Sequence, residues 1–135
     1  MWYQAHKEER KEYRRKYDET HKEQVRQSER KRRTKPETRY YAYKKNAENS
    51  KRNFSLTFEE FMTLWQLPCS YCGDPIATIG LDRIDNSKGY SLNNVVPCCS
   101  DCNFTRQDLW THQEMLTKIG PVIAEVKKAR RAIGI

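Results

Sequence analysis

Four cysteines form two pairs with the spacing of a metal site. Cys69 and Cys72 make the first pair, Cys99 and Cys102 make the second, and 26 residues separate the pairs. Each Cys-x-x-Cys turn presents two sulfur atoms to one ion, and four thiolates satisfy a tetrahedral Zn²⁺ without leaving a position for water. The pattern therefore predicts a structural zinc site that joins two parts of the chain and does no chemistry itself.

A fifth cysteine, Cys98, directly precedes the second pair. It could compete with Cys99 as a ligand, but a small buried residue on a strand is the commoner use of such a cysteine. The paired spacing favours metal over disulfides, which is consistent with a reducing intracellular compartment such as the cytoplasm.

Short elements must position the cysteine pairs. Loosely alternating apolar residues predict a strand over 79–85, Val95–Pro97 reads as a second strand, and a helix over about 103–109 follows Cys102. Capping boxes at Thr57 and Thr111 predict two further short helices. Gly120-Pro121 should break the second of these, and a last helix should occupy about 121–132.

The basic excess of the chain lies at its N-terminal side. Residues 1–53 hold 18 of the 26 Lys and Arg but only 9 of the 18 Asp and Glu. Helices are predicted over 4–33 and about 36–50, and few apolar residues are available to dock the first one. We expect a basic DNA-binding arm over 1–53 and a folded domain over 54–135, although a solvated helix of mixed charge is the common alternative. The candidate phosphate contacts are Arg30, Lys31, Arg32, Arg33, Lys44 and Lys45.

Composition sets the scale of the protein. Of its 135 residues 36% are hydrophobic and 33% are charged, so the core must be small. A structural metal ion would add stability to such a small core. No apolar run is long enough to span a membrane, and we expect no membrane partner.

The order pair, strand, loop, strand, pair, helix resembles the HNH nuclease family. The resemblance rests on the two cysteine pairs, on Leu81-Asp-Arg-Ile-Asp85, on Gly89-Tyr90 and on Asn94-Val-Val, and covers roughly residues 54–120. It implies an α+β fold: a zinc-stapled ββα-metal (His-Me finger, treble-clef) core with short flanking helices and the basic helical arm. Small proteins of this kind are often phage-encoded, so the resemblance also implies action inside a host cell.

The family pattern assigns roles to matching positions of this sequence. It implies that Asp82 and Asn103 bind a catalytic Mg²⁺ or Mn²⁺ and that Asn94 orients the general base. A carboxylate and an amide carbonyl suit such hard cations. Each residue also has an ordinary alternative: a salt bridge for Asp82, a turn for Asn94 and a helix cap for Asn103.

Arg83 departs from the family pattern, because it stands where the general-base His is expected. A guanidinium cannot be deprotonated in a protein, so Arg83 cannot take a proton from water. The metal ion could instead activate the water while Arg83 clamps the phosphate. Another residue could be the base, either Asp85, for which a surface salt bridge is the default, or more remotely Tyr90 or His112. The domain could also bind nucleic acid without cutting it.

The sequence therefore predicts an endonuclease that hydrolyses phosphodiester bonds of double-stranded DNA, with Asp82, Arg83, Asn94 and Asn103 as catalytic residues. The alternative is a catalytically inactive, zinc-dependent nucleic-acid-binding module. A third hypothesis is an RNA-directed protein whose basic, Tyr-rich arm recognises the RNA. The oligomeric state is left open.

Overall fold

A computed structural model describes residues 2–135, which divide into two compact units at Lys35 and Pro36. The first unit is helix α1, Trp2–Arg33. It buries none of its described side chains, as expected from its scarcity of apolar residues, and ion pairs such as Lys16–Glu12 at 3.3 Å follow its surface. The unit is thus a polar helix with four basic residues in its last turn.

The second unit begins earlier than expected. Helix α2, Pro36–Asn49, was assigned to the arm over 1–53, but it buries Tyr40 and Ala47. The Tyr40 ring lies edge-on to Phe61, and its hydroxyl donates to the Leu56 carbonyl at 2.7 Å. The expected boundary between 53 and 54 is therefore displaced to 35 and 36, because α2 packs its aromatic face into the folded domain.

Helix α3, Phe58–Thr63, begins at the predicted capping box. The Thr57 hydroxyl accepts from the Glu60 amide at 3.1 Å, and the Glu60 carboxylate accepts from the Thr57 amide at 3.0 Å. Phe61 is completely buried. Helix α3 therefore contributes to the core of the domain.

Two short strands form the centre of the domain. Strand β1, Leu81–Arg83, pairs antiparallel with β2, Val95–Pro97, with Asp82 opposite Val96. The first strand is shorter than the predicted 79–85, and a 3₁₀ turn, Leu92–Asn94, leads into β2. Because successive side chains of a strand point to opposite faces, Leu81 joins one apolar cluster with Tyr40 and Phe61, while Asp82 faces the other side.

Helix α4, Ser100–Arg106, starts inside the second cysteine pair rather than after it. Cys99 is its N-cap, so the cysteine turn and the first helical turn are the same structure. A second buried cluster lies here, formed by Cys69, Tyr71, Cys98, Cys102 and Met115.

The last helical region is continuous where a break was expected. Helix α5, His112–Glu114, passes through a π-helical turn, Met115–Ile119, into helix α6, Gly120–Ala132. Pro121 directly follows the π-helical turn and lies in the first turn of α6. A Cβ at Gly120 would lie 2.3 Å from the Tyr71 carbonyl oxygen, so the glycine lets the helix approach the first cysteine turn closely.

Among residues 2–135, no helix combines the length and apolar character needed to cross a bilayer.

Candidate functional site

The four paired cysteines converge. The sulfur atoms of Cys69, Cys72, Cys99 and Cys102 all lie within 4.8 Å of one another, an arrangement that could hold one metal ion. In the first pair the Gly73 amide donates to the Cys69 carbonyl at 2.9 Å, with Gly73 at a positive φ of 79°. In the second pair the Cys102 amide donates to the Cys99 sulfur at 3.4 Å. Four thiolates in this geometry fit zinc.

Cys98 lies outside this group. It is buried, and its thiol donates to the Cys99 carbonyl at 3.3 Å. Cys99, and not Cys98, therefore belongs to the group that could hold a metal ion, and Cys98 is a small core residue.

Lys127 of α6 lies against the cysteine site. Its Nζ is 3.8 Å from the Cys72 sulfur, 3.7 Å from the Cys99 sulfur and 2.9 Å from an Asp74 carboxylate oxygen. Burial opposes its charge, but hydrogen bonds to Asp74 and Asp101 raise the pKa of Lys127 and keep it cationic. Nothing in the local sequence shows which face of α6 meets the cysteines, so this contact of Lys127 becomes visible only in the folded chain.

Asp82, the predicted catalytic carboxylate, is buried on β1 with 6% of its surface exposed. Its Oδ2 accepts hydrogen bonds from the Tyr71 hydroxyl at 2.5 Å and from Arg106. Its Oδ1 has no hydrogen-bond partner in the described chain and is not one of the fully buried unpaired atoms. One oxygen of Asp82 is therefore fixed by two donors, and the other has no hydrogen-bond partner among residues 2–135.

Arg106, at the end of α4, holds Asp82 in place. Only 3% of it is exposed, and its guanidinium also donates to the carbonyls of Arg83, Ile84 and Trp110. A buried carboxylate and a buried guanidinium compensate each other only when such additional bonds satisfy both. Arg106 was not predicted from the sequence, because nothing in the local pattern of its helix shows that it faces a strand.

Tyr71 and His112 extend this network. The Tyr71 hydroxyl, which donates to Asp82, also lies 2.8 Å from His112 Nδ1. Burial and the Asp82 hydrogen bond raise the pKa of Tyr71, so it stays a neutral donor. Burial and the charge of Arg106 lower the pKa of His112, against the smaller opposing effect of Asp82. The role of Tyr71 was not predicted from the sequence, because its position between Cys69 and Cys72 shows nothing of its contact with Asp82.

Arg83 and Asn94 organise the loop between the strands. Arg83 donates to the carbonyls of Asn86 and Lys88, both at 2.8 Å, and its guanidinium lies 5.6 Å from the centre of the Tyr90 ring. Asn94, itself buried, accepts from the Asp85 amide at 2.9 Å and donates to the Gly89 carbonyl at 2.8 Å. The amide of Asn94 thus orients a loop, and the loop in turn holds Arg83.

Asp85 and Tyr90, the alternative bases, are used locally. The Asp85 carboxylate accepts from the Ser87 hydroxyl at 2.6 Å and from the Ser87 amide, and these bonds lower the pKa of Asp85. Tyr90 packs against the first apolar cluster. A carboxylate with a lowered pKa is a poorer proton acceptor.

Asn103 lies in the first turn of α4, exposed, directly after Cys102. It lines a cavity of about 350 Å³ together with Arg39, Tyr43 and Gly80. No hydrogen bond of the described residues joins Asn103 to Asp82, so their pairing at a metal stays a prediction. The available donors, the Asp82 Oδ1 and the Asn103 amide oxygen, fit a hard cation that keeps part of its water shell.

The predicted phosphate contacts are all exposed, but they belong to different units. Four are on α1 and two on α2: Arg30, Lys31, Arg32 and Arg33, then Lys44 and Lys45. Their role in nucleic-acid binding stays a prediction.

Comparison with known proteins identifies the fold. A solved structure of the rare-cutting HNH restriction endonuclease PacI, described for its extraordinary mechanism of DNA perturbation, superposes with a TM-score of 0.63. The match covers 71% of this chain and 81% of PacI at 23% sequence identity. The predicted HNH-type α+β fold is thereby confirmed, and four of its cysteines are placed where they could hold a metal ion.

One curated relative matches part of the chain. The uncharacterized protein R423 of Acanthamoeba polyphaga mimivirus is 39% identical over 72 residues. The match covers 51% of this chain but only 14% of the relative. No family model matches the chain.

Proposed function

We propose that this protein is a metal-dependent HNH-type endonuclease that hydrolyses phosphodiester bonds in double-stranded DNA. The observation that carries the proposal is the HNH fold with Asp82 on its first strand, where one carboxylate oxygen is fixed by two donors and the other is open. The PacI neighbour, a restriction endonuclease, supports DNA as the substrate class.

Asp82 and Asn103 would hold Mg²⁺ or Mn²⁺. When bound, the cation would stabilise the negative charge that develops on the phosphate and on the leaving oxygen. Arg106 and Tyr71 fix Asp82, so the open oxygen is presented in one orientation without a conformational search.

The cysteine site would hold a structural Zn²⁺. It joins the turn that carries Tyr71 to the start of α4, and the zinc therefore supports the network around Asp82 without touching substrate. In this proposal Arg83 and Asn94 shape the loop beside the site. Arg83 would contact a phosphate only after its hydrogen bonds to the Asn86 and Lys88 carbonyls break.

The exposed basic residues of α1 and α2 would neutralise DNA phosphates. Such contacts add affinity that depends on salt and not on base sequence. The mimivirus relative supports a viral rather than a specifically phage setting, in which the protein would act inside the host cell.

Nicking of supercoiled plasmid tests the proposal. Wild type, Asp82→Asn and Asp85→Asn are compared with Mg²⁺, with Mn²⁺ and without added metal. We expect metal-dependent nicking that Asp82→Asn reduces by at least about 100-fold and that Asp85→Asn retains, since Asp85 only caps a turn. Zinc content and thermal unfolding are measured on each protein, because Asp82 is also the buried partner of Arg106.

The alternative function is nucleic-acid binding without cleavage. It is supported by Arg83, which occupies the position where the family has its general base. DNA binding by the wild-type protein without nicking under either metal would establish a nucleic-acid-binding module and overturn the nuclease. Competition between duplex DNA and structured RNA at fixed salt separates the RNA-directed hypothesis.

A further inference from the structure

We propose that His112 is the general base of this site and that Tyr71 positions it with Nε2 free to accept a proton. The inference rests on the proposed nuclease function and deepens it. It replaces the base that Arg83 cannot supply with a residue from a different part of the chain.

The hydrogen bonds determine which nitrogen of His112 is protonated. Tyr71 has one hydroxyl proton, and it is donated to Asp82 Oδ2 at 2.5 Å. The Tyr71 oxygen can therefore only accept at its 2.8 Å contact with His112, so Nδ1 must carry the proton. A neutral imidazole has one N–H, and Nε2 consequently holds the lone pair.

Nε2 is free to react. The described residues contain no hydrogen-bond partner for it, and it is not among the fully buried unpaired atoms. The charged and titratable groups that face the ring are Tyr71, Asp82 and Arg106. Burial and Arg106 lower the pKa of His112, so the neutral, accepting form prevails at pH 7.

Two parts of the chain, the helical region that begins at α5 and the first cysteine turn, hold His112 against Tyr71. The Thr111–Glu114 capping box starts α5 at His112, and buried Met115 anchors the following turn. Gly120 allows the same helical region to touch the Tyr71 carbonyl. Tyr71 itself stands between two cysteine ligands, so the metal turn and the helix together determine where the imidazole lies.

The other candidates are committed elsewhere. Arg83 has no proton-accepting form, and it donates to two loop carbonyls. Asp85 caps Ser87. His112 is thus the candidate with an open nitrogen and a link to Asp82.

The proposed step balances. Water oxygen forms a bond to phosphorus, and its proton moves to His112 Nε2. The bond from phosphorus to the 3′ oxygen breaks with its electron pair, and that oxygen takes a proton from solvent. Tyr71 keeps its own proton throughout, because that proton is held in the hydrogen bond to Asp82.

Cleavage by His112→Ala, His112→Gln and Tyr71→Phe tests the role, with His21→Ala as the control. His21 stacks on Tyr17 of α1 and belongs to the other unit. We expect both His112 variants to lose about 10²- to 10⁴-fold in rate, and added imidazole to restore part of the activity of His112→Ala. The acidic limb of the wild-type pH profile, below pH 6.5, should be absent from the variants.

Nitrogen NMR gives a readout independent of cleavage. The wild-type protein should show His112 as the Nδ1–H tautomer, and Tyr71→Phe should lose that preference while keeping its zinc. An Nε2–H tautomer in the wild-type protein would overturn the assignment even if a His112 variant failed to fold.

The outcomes separate the two proposals. Wild-type cleavage that His112→Gln leaves unchanged in rate and pH profile overturns the base and retains the nuclease. Absence of cleavage by the wild-type protein overturns both.

Discussion

The cysteine site and the Asp82 network lie side by side, but they are assembled differently. The two cysteines of each pair are three positions apart in the chain, so two local turns supply all four ligands. In the network, Asp82 contacts Tyr71 and Arg106 at sequence separations of 11 and 24, and Tyr71 contacts His112 at 41. The cysteine site therefore needs only one long-range contact, between the two turns, whereas the Asp82 network needs several long-range contacts.

The two sites also depend on each other unequally. Tyr71 belongs to the network but stands inside a cysteine turn, and α4 carries both a cysteine pair and Arg106. Loss of the metal should therefore dismantle the network. Loss of the network should leave the metal turns intact, since none of their backbone bonds runs through Asp82.

Cys99→Ser should have the largest effect. It removes one of four ligands, and structural zinc contributes on the order of 10 kcal/mol to the folding of small zinc domains. We expect loss of bound zinc and of cooperative unfolding, measured by metal analysis and thermal circular dichroism.

Cys98→Ser is the matched control for that experiment. Its buried hydroxyl should cost about 1–3 kcal/mol and leave one zinc per chain. Full zinc retention by Cys99→Ser, or zinc loss by Cys98→Ser, would reverse the ligand assignment.

Arg106→Met should have an intermediate effect. It leaves the Asp82 carboxylate buried without its cation, at a cost of about 3–5 kcal/mol in the free energy of unfolding. Zinc content should be unchanged. Urea unfolding near pH 7 measures the loss.

The double variant Asp82→Asn/Arg106→Met sharpens the result, because it removes both charges and keeps an acceptor for Tyr71. It should be more stable than Arg106→Met alone. A double variant that loses the sum of the two single effects would mean that the pair contributes no coupling energy.

Lys127→Met should have the smallest effect. Its ion pairs are partly exposed, so the free energy of unfolding should change by only about 1 kcal/mol. The charge beside the Cys72 and Cys99 sulfurs should instead slow metal loss. We expect a severalfold faster transfer of zinc to a chromogenic chelator.

Lys128→Met provides the comparison, since Lys128 is the exposed neighbour on the same helix. Equal transfer rates for the two variants would show that Lys127 does not influence the metal site.

Local patterns predicted most elements of the fold. The Thr57 box started α3 as expected, and Val95–Pro97 formed the second strand. Errors arose where packing overrode a local rule. The helix continues through Gly120-Pro121, and the glycine lies where the helix approaches Tyr71 closely. Helix α2 belongs to the folded domain, through Tyr40, and not to the arm.

The sequence by itself determined the zinc-type cysteine site, the two strands and the polar character of α1. These features depend on residue spacing within a few positions, and spacing is visible in a sequence. Tertiary structure alone decided that Arg106 holds Asp82 and that Tyr71 links Asp82 to His112. Those contacts join residues from different elements, and the directions of their side chains are fixed only when the elements pack together.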